Sequence, residues 1–240
     1  MLTAAALVPD TALLVPGAGG RVDPAQRLRA AALAVVEAAV AGADAVVVVA
    51  PGRVTRELSG RVVVSLGAAG IGDEQLGWPA PAVGDGPDVL AGVPASVGLH
   101  LLARAGCGGP TRVVEVAPDS VLADLADLGA RLVHEAATAL VVVGSASGRH
   151  GPDAPLADDG RAPAYDEALI ADLAEPTRQA QARLADLALQ DARDLAVTGW
   201  APWQVLLGSL GTGDGDVVGH LEHAEVLAGA QHAAIGWRAS

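Results

Sequence analysis

The sequence predicts an α/β fold: a single domain spanning residues 1–240, with a mixed central β-sheet flanked by helices. Three observations predict it. Short Val- and Ala-rich runs, 44–50 (DAVVVVA) and 140–143 (LVVV), are apolar without alternation, as strands covered on both faces must be. Segments with apolar residues at helical spacing lie between such runs, Leu122, Leu125, Leu128, Leu132 and Ala136 being the clearest set. Strand-like and helix-like segments alternate along most of the chain, the order that builds parallel βαβ units.

Taken in order, residues 2–8 (LTAAALV) form a buried strand that Pro9-Asp10 ends. A second apolar patch, Leu13-Leu14-Val15, stops at Pro16 and a glycine cluster. Asp23-Pro24 offers an N-cap carboxylate followed by proline, so a helix is expected from there to about Ala41, ended by Gly42. Residues 44–50 are the next strand, ending at Pro51-Gly52, and a loop carrying Arg53 and Arg56 follows. Residues 61–66 (RVVVSL) read as a third strand, and residues 67–88, rich in Gly and Pro, as a long irregular connection.

A helix is expected over about 88–105 and a strand over 111–117 (TRVVEVA). Pro118-Asp119-Ser120 then precedes the amphipathic helix named above. The apolar run Leu140-Val141-Val142-Val143 ends abruptly at Gly144, and a polar loop leads to a helix opening near Tyr165. From there to about Val197 the pattern is helical, with two helices meeting near Glu175-Pro176. Residues 201–210 form a short helix, 211–215 a glycine turn, and 217–238 an antiparallel hairpin turning around Gly229. There is no internal repeat, low-complexity linker or charge block.

Composition narrows the function. The formal net charge is −13 and all fifteen basic residues are arginine. Such a surface repels phosphate backbones and anionic lipid, so neither a nucleic-acid nor a membrane partner is expected. The single cysteine, Cys107, excludes an internal disulfide and a cysteine-based zinc cluster, and fits a cytoplasmic location. The apolar N-terminal stretch lacks a basic lead and is interrupted by Pro9 and Asp10, so a first strand is expected rather than a signal peptide. With no lysine there is no P-loop, and the glycine clusters at 17–20 and 211–215 lack the strand–turn–helix setting of a dinucleotide fingerprint. In Gly144-Ser145-Ala146-Ser147-Gly148 the central residue is Ala146, so it is not a nucleophile elbow.

The loop after the central strand reads Gly144-Ser145-Ala146-Ser147-Gly148-Arg149-His150-Gly151-Pro152-Asp153-Ala154-Pro155, with Tyr165-Asp166 opening the next helix. It resembles the signature of class III extradiol ring-cleavage dioxygenases of the B-subunit type, whose relatives include Memo-like proteins: G-D-L-S-H-R-L-x-P-D-A-P, a spacer, then F-D and a helix. The resemblance implies the α/β fold of that dioxygenase family. It also implies an iron(II) held by two histidines and a glutamate, with a further histidine as catalytic base.

The frame of the motif matches without a gap, but this chain departs from the family at each iron-ligand and catalytic-base position that can be aligned. The first ligand, in a P-H-x-x-x-L-x-P context, falls on Asp10 within Pro9–Pro16. The second, ending V-V-x-x-P-H, falls on Gly52, and the base falls on Gly148. The third ligand lies in the C-terminal part, where Glu222 and His223 are candidates. Glycine supplies neither a metal ligand nor a proton acceptor, so the ordinary ring-cleavage mechanism is expected to be absent.

Two readings follow. The first is a degenerate, non-catalytic protein, a pseudoenzyme that binds a ligand or a partner and needs no cofactor. Its pocket would comprise Asp10, Gly52, Arg53, Ser147, Gly148, Arg149 and His150. The two imidazole-to-glycine replacements would leave room there, and Arg53, Arg56 and Arg149 would favour a small anionic or aromatic ligand. A homo-oligomer is expected, with Trp78, Trp200 and Trp203 at subunit contacts. The second is a metal-dependent oxidoreductase, dioxygenase-like, with a site rebuilt around Asp10 and His150, joined by Asp153 or by Glu222 and His223, holding Fe(II) or another divalent metal. His150 is then the candidate catalytic residue. The tail carries His220, His223 and His232 near Glu222, a set of imidazoles that could suit a metal or simply stand on an exposed hairpin. His100 and His134 are expected to be structural.

Overall fold

A computed structural model describes residues 1–21, 23–134, 136–152, 154, 156–211 and 216–239. The chain opens with β1 (Leu2–Val8), then a helical turn at Ala12–Leu14 and α1 (Gln26–Val40). Next come β2 (Ala45–Pro51), β3 (Arg56–Glu57), β4 (Arg61–Val63), β5 (Ala82–Val83) and β6 (Asp88–Leu90). Then follow α2 (Val93–Arg104), β7 (Thr111–Val116), α3 (Leu122–Leu132) and β8 (Thr138–Val143). Four helices succeed one another: α4 (Ala162–Ala174), α5 (Arg178–Ala185), α6 (Leu189–Asp194) and α7 (Trp200–Ser209). A hairpin of β9 (Val217–Leu227) and β10 (Ala230–Ala239) ends the chain.

The main sheet has seven strands in the order β3-β7-β2-β8-β1-β10-β9. Its centre, β7-β2-β8-β1, is parallel, and β3 and β10 join it antiparallel. The predicted single α/β domain with a mixed sheet is what forms. Every residue of β8 is buried, because α1 and α2 cover one face of the sheet and α3 to α7 the other. Val46, Val48 and Ala50 of β2 point to the first layer, Val47 and Val49 to the second.

Several expectations are corrected. Residues 88–90 do not begin a helix; they pair in parallel with β4 in a small three-stranded sheet, β5-β4-β6, and α2 starts only at Val93-Pro94. The strand expected over 61–66 is confined to 61–63. Asp23 does not cap α1. It forms an ion pair at 2.6 Å with Arg29, whose guanidinium also donates to the carbonyls of Leu13 and Leu14. Helix breaks fall at 175–177 and again at 186–188, so the 165–197 region holds three helices. Trp200 and Trp203 are buried in the layer under α7 and are not exposed for a subunit contact, while Trp78 is partly buried beside His100. His100 is buried as expected, whereas His134 lies exposed just past the end of α3. Of the turn expected at 211–215, residues 212–215 lie outside the described residues, as does Asp153.

Candidate functional site

Parallel pairing puts the carboxyl ends of β1, β8 and β2 side by side, the edge of an open α/β sheet where ligands bind. Val8 is in register with Val143. Two residues further along each chain, Asp10 meets Ser145. Antiparallel pairing of β1 with β10 sets Leu7 opposite Ile235, and continuing that register brings His232 to the same place. The Ser145 hydroxyl donates to Asp10 Oδ1 at 2.5 Å and is hydrogen-bonded to His232 Nδ1 at 2.8 Å. Ser145 and His232 are buried. Burial pushes the His232 imidazole below its ordinary range, and the Asp10 carboxylate opposes that shift. Ser145 is thus a bridge between a carboxylate and an imidazole.

The β8 loop then runs along the tip of the C-terminal hairpin. Ala146 N–H donates to Gln231 O, Gln231 N–H to Ser147 O, and His150 N–H to Gly229 O. A second polar pair sits at the far end of this loop. His150 Nε2 is 2.6 Å from Asp166 Oδ2, and Asp166 Oδ1 accepts the Ser147 N–H at 3.0 Å. Burial pushes the Asp166 carboxyl up, with the His150 hydrogen bond working against it. The neighbouring Tyr165 phenol is pushed up to about 12, first by burial and then by Asp166.

The third feature is an open cleft of about 530 Å³ at the end of β2. Pro51, Gly52, Arg53, Arg56, Gly92 and Glu115 line it, with the first turn of α2. Glu115, buried on β7, accepts from Arg56 at 2.8 Å and from the Gly92 N–H at 2.7 Å. Arg53 is exposed and makes no ion pair or hydrogen bond among the described residues.

The pocket expected from the sequence is therefore divided. Asp10 belongs to the Ser145–His232 bridge, His150 to Asp166, and Gly52 and Arg53 to the cleft. Ser147 is fully buried, so it faces no open pocket. Arg149 donates to Ala157 O on its own loop and does not join Arg53 and Arg56. Gly52 leaves no space behind it: a Cβ there would fall 2.6 Å from Glu115 Cβ. At Gly148 a Cβ would make only ordinary contacts, 3.5 Å from Ala196 Cβ.

The metal candidates Asp10, His150, Glu222 and His223 do not converge. β10 separates β9 from β1, and on β9 Glu222 pairs with His220 at 3.0 Å and His223 with Glu225 at 3.6 Å. No group of three or more His, Cys, Asp or Glu side chains able to share an ion occurs among the described residues. Iron(II) chemistry of the dioxygenase type needs imidazole and carboxylate ligands on one face of the ion. With Gly52 closed by Glu115 and Asp10 tied to Ser145, these residues do not fit that iron.

Sequence pattern gives no role to Ser145 or Glu115, and leaves His232 among the tail histidines. Asp166 stands within the motif that follows the central strand but carries no family role there. The others are defined by strand register.

No family model matches this sequence, and no curated protein matches it. Among solved structures, the chain is similar to JW3007, an uncharacterised protein from Escherichia coli K12, at 16% identity and a TM-score of 0.54, over 98% of this chain and 99% of that one. That likeness supports the α/β fold. No helix among the described residues is long and apolar enough to cross a membrane.

Proposed function

We propose that this protein is a ligand-binding relative of the class III extradiol dioxygenases, without the family's iron chemistry, that takes a small anionic ligand in the cleft beside Arg53. The sequence motif at 144–155 supports the ancestry. One observation supports the ligand class: Arg53 stands exposed at the cleft without an ionic partner among the described residues, in a chain whose net charge is −13. Where carboxylates are in such excess, an uncompensated guanidinium at a cavity mouth suits a carboxylate or phosphate group, which its planar fork can hold through two hydrogen bonds. A cytoplasmic location belongs to the same proposal.

Calorimetric titration with benzoate and with inorganic phosphate tests it. Saturable binding of either, lost in Arg53→Ala and retained in His150→Ala, is the expected result. No binding of either anion, or equal binding by Arg53→Ala, refutes it.

A second reading, a metal-dependent oxidoreductase rebuilt around Asp10 and His150, would rest on the approach of Asp10 and His232 at Ser145 alone, since His150 is paired with Asp166. Metal analysis after anaerobic incubation with Fe(II) separates the two. Stoichiometric metal in the wild type, lost in both Asp10→Ala and His150→Ala, would replace the first reading with this one.

A further inference from the structure

The strand β9 forms one edge of the main sheet and, at eleven residues, is its longest strand. It pairs only with β10 among the described residues. Its apolar residues Val218, Leu221 and Val226 are 65%, 38% and 48% exposed. Exposed strand edges are templates for another strand, and proteins blunt them with charges and bulges. β9 carries both: His220, Glu222, His223 and Glu225, and a bulge. The register with β10 runs from Ile235 opposite Leu221 to Ala234 opposite His223, so Glu222 is the extra residue.

That bulge decides which strand fits. In an uninterrupted strand, residues 220 and 225 face opposite sides of the sheet. Here His220 lies opposite Gly236, His223 opposite Ala234 and Glu225 opposite His232, all on the side that α1 covers. Leu221 opposite Ile235 and Ala224 opposite Ala233 lie on the other side. The extra residue thus puts His220 and Glu225 on one face.

We propose that β9 is a homodimer edge, pairing antiparallel with β9 of a second copy about a two-fold axis between Glu222 and His223. In this register His220 meets Glu225 of the second copy and Glu222 meets His223 of the second copy, each twice by symmetry. Leu221 meets Ala224, Val218 meets Leu227 and Val226 meets Gly219, so each exposed apolar side chain faces an apolar residue or glycine. Every pair shares a face, which the unbulged strand would not allow. The His–Glu contacts already made within each strand, 220 to 222 and 223 to 225, extend into a ladder across the axis. An unrelated strand meets a kinked, charged edge; a second copy meets its own complement. An open groove of about 460 Å³ flanks β9 on the α1 side, and one of about 510 Å³ flanks its start beside the α4–α5 turn, which packs against Gly219. The two copies would join their sheets into one.

Sedimentation velocity on the full chain over a concentration series should show a species of twice 23.7 kDa. Glu225→Arg should weaken it about tenfold, since two symmetric pairs are lost, and His220→Glu/Glu225→Arg should restore it. Independently of folding effects at Glu225, Leu221→Cys/Ala224→Cys in a Cys107→Ser background should give a covalent dimer on mild oxidation, and neither single variant should. A chain that stays monomeric at every concentration, or cross-links equally in the single variants, overturns the proposal.

Discussion

His150 Nε2 lies 2.6 Å from Asp166 Oδ2, which fastens the loop after the central strand to the helix that follows it. Asp166 is almost wholly buried and also accepts the Ser147 N–H, so two separate parts of the loop depend on one carboxylate. Asp166→Ala leaves a buried N–H and an imidazole without their acceptor and should cost about 3 kcal/mol. Asp166→Asn keeps an acceptor for Ser147 and should cost about 1 kcal/mol. Urea denaturation of the two variants checks both the cost and its order.

The Ser145 bridge makes a prediction about pH. Burial lowers the His232 pKa in the folded state, so below 6.5 the unfolded chain takes up a proton that the folded chain refuses. Stability therefore falls as pH drops from 6.5 through the folded pKa, by up to about 1.4 kcal/mol per pH unit for this one group. His100 is lowered by burial too and acts in the same direction, while Asp166, pushed up from 3.8, loses stability as pH rises. The comparison with His232→Asn isolates His232, because an amide can still hydrogen-bond to Ser145. Its stability should fall less steeply between about pH 7 and about pH 5 than that of the wild type. Parallel curves would show that His232 is not the titrating group.

How far these contacts can be read from sequence depends on how local they are. The Val- and Ala-rich runs of β2 and β8 declare buried strands, because an apolar run without alternation needs cover on both faces. The hairpin turn is equally local: Gly229 sits at φ 76°, a conformation that favours glycine. Asp88-Val89-Leu90 misleads, since only pairing with the distant Arg61–Val63 makes it a strand. The site divides in the same way. Asp10 and His150 stand out in a motif, but Ser145 and His232 reach Asp10 only through the registers Val8 with Val143 and Leu7 with Ile235. Gly52 reads as an emptied position until β7 lies beside β2 with Glu115 opposite Ala50.

That last contact is open to test. A Cβ at Gly52 would fall 2.6 Å from Glu115 Cβ, closer than two carbons can approach, whereas a Cβ at Gly148 meets Ala196 at an ordinary 3.5 Å. Gly52→Ala should therefore destabilise by about 1–3 kcal/mol through overpacking, and Gly148→Ala should change stability by less than about 0.5 kcal/mol. Thermal unfolding of the two variants distinguishes them. Equal effects would mean that the end of β2 yields easily and that position 52 can hold a side chain.

Glu115 also sets the charge of the cleft. Its carboxylate is bound to Arg56 and to the Gly92 N–H, so of the two cleft arginines only Arg53 lacks an ionic partner among the described residues. Glu115→Gln keeps an acceptor for Gly92 and removes the charge that holds Arg56. A second guanidinium then becomes available beside the first, and a bound anion gains a charge-assisted hydrogen bond. Affinity for benzoate or phosphate should rise about tenfold, from a gain of about 1.4 kcal/mol. The same change should lower stability by about 1–2 kcal/mol, because a charged hydrogen bond to a buried carboxylate is lost. The two effects have opposite signs, so a variant that binds more tightly while melting earlier marks Glu115 as the group that restrains the cleft. A variant that melts earlier without binding more tightly assigns Glu115 a purely structural role.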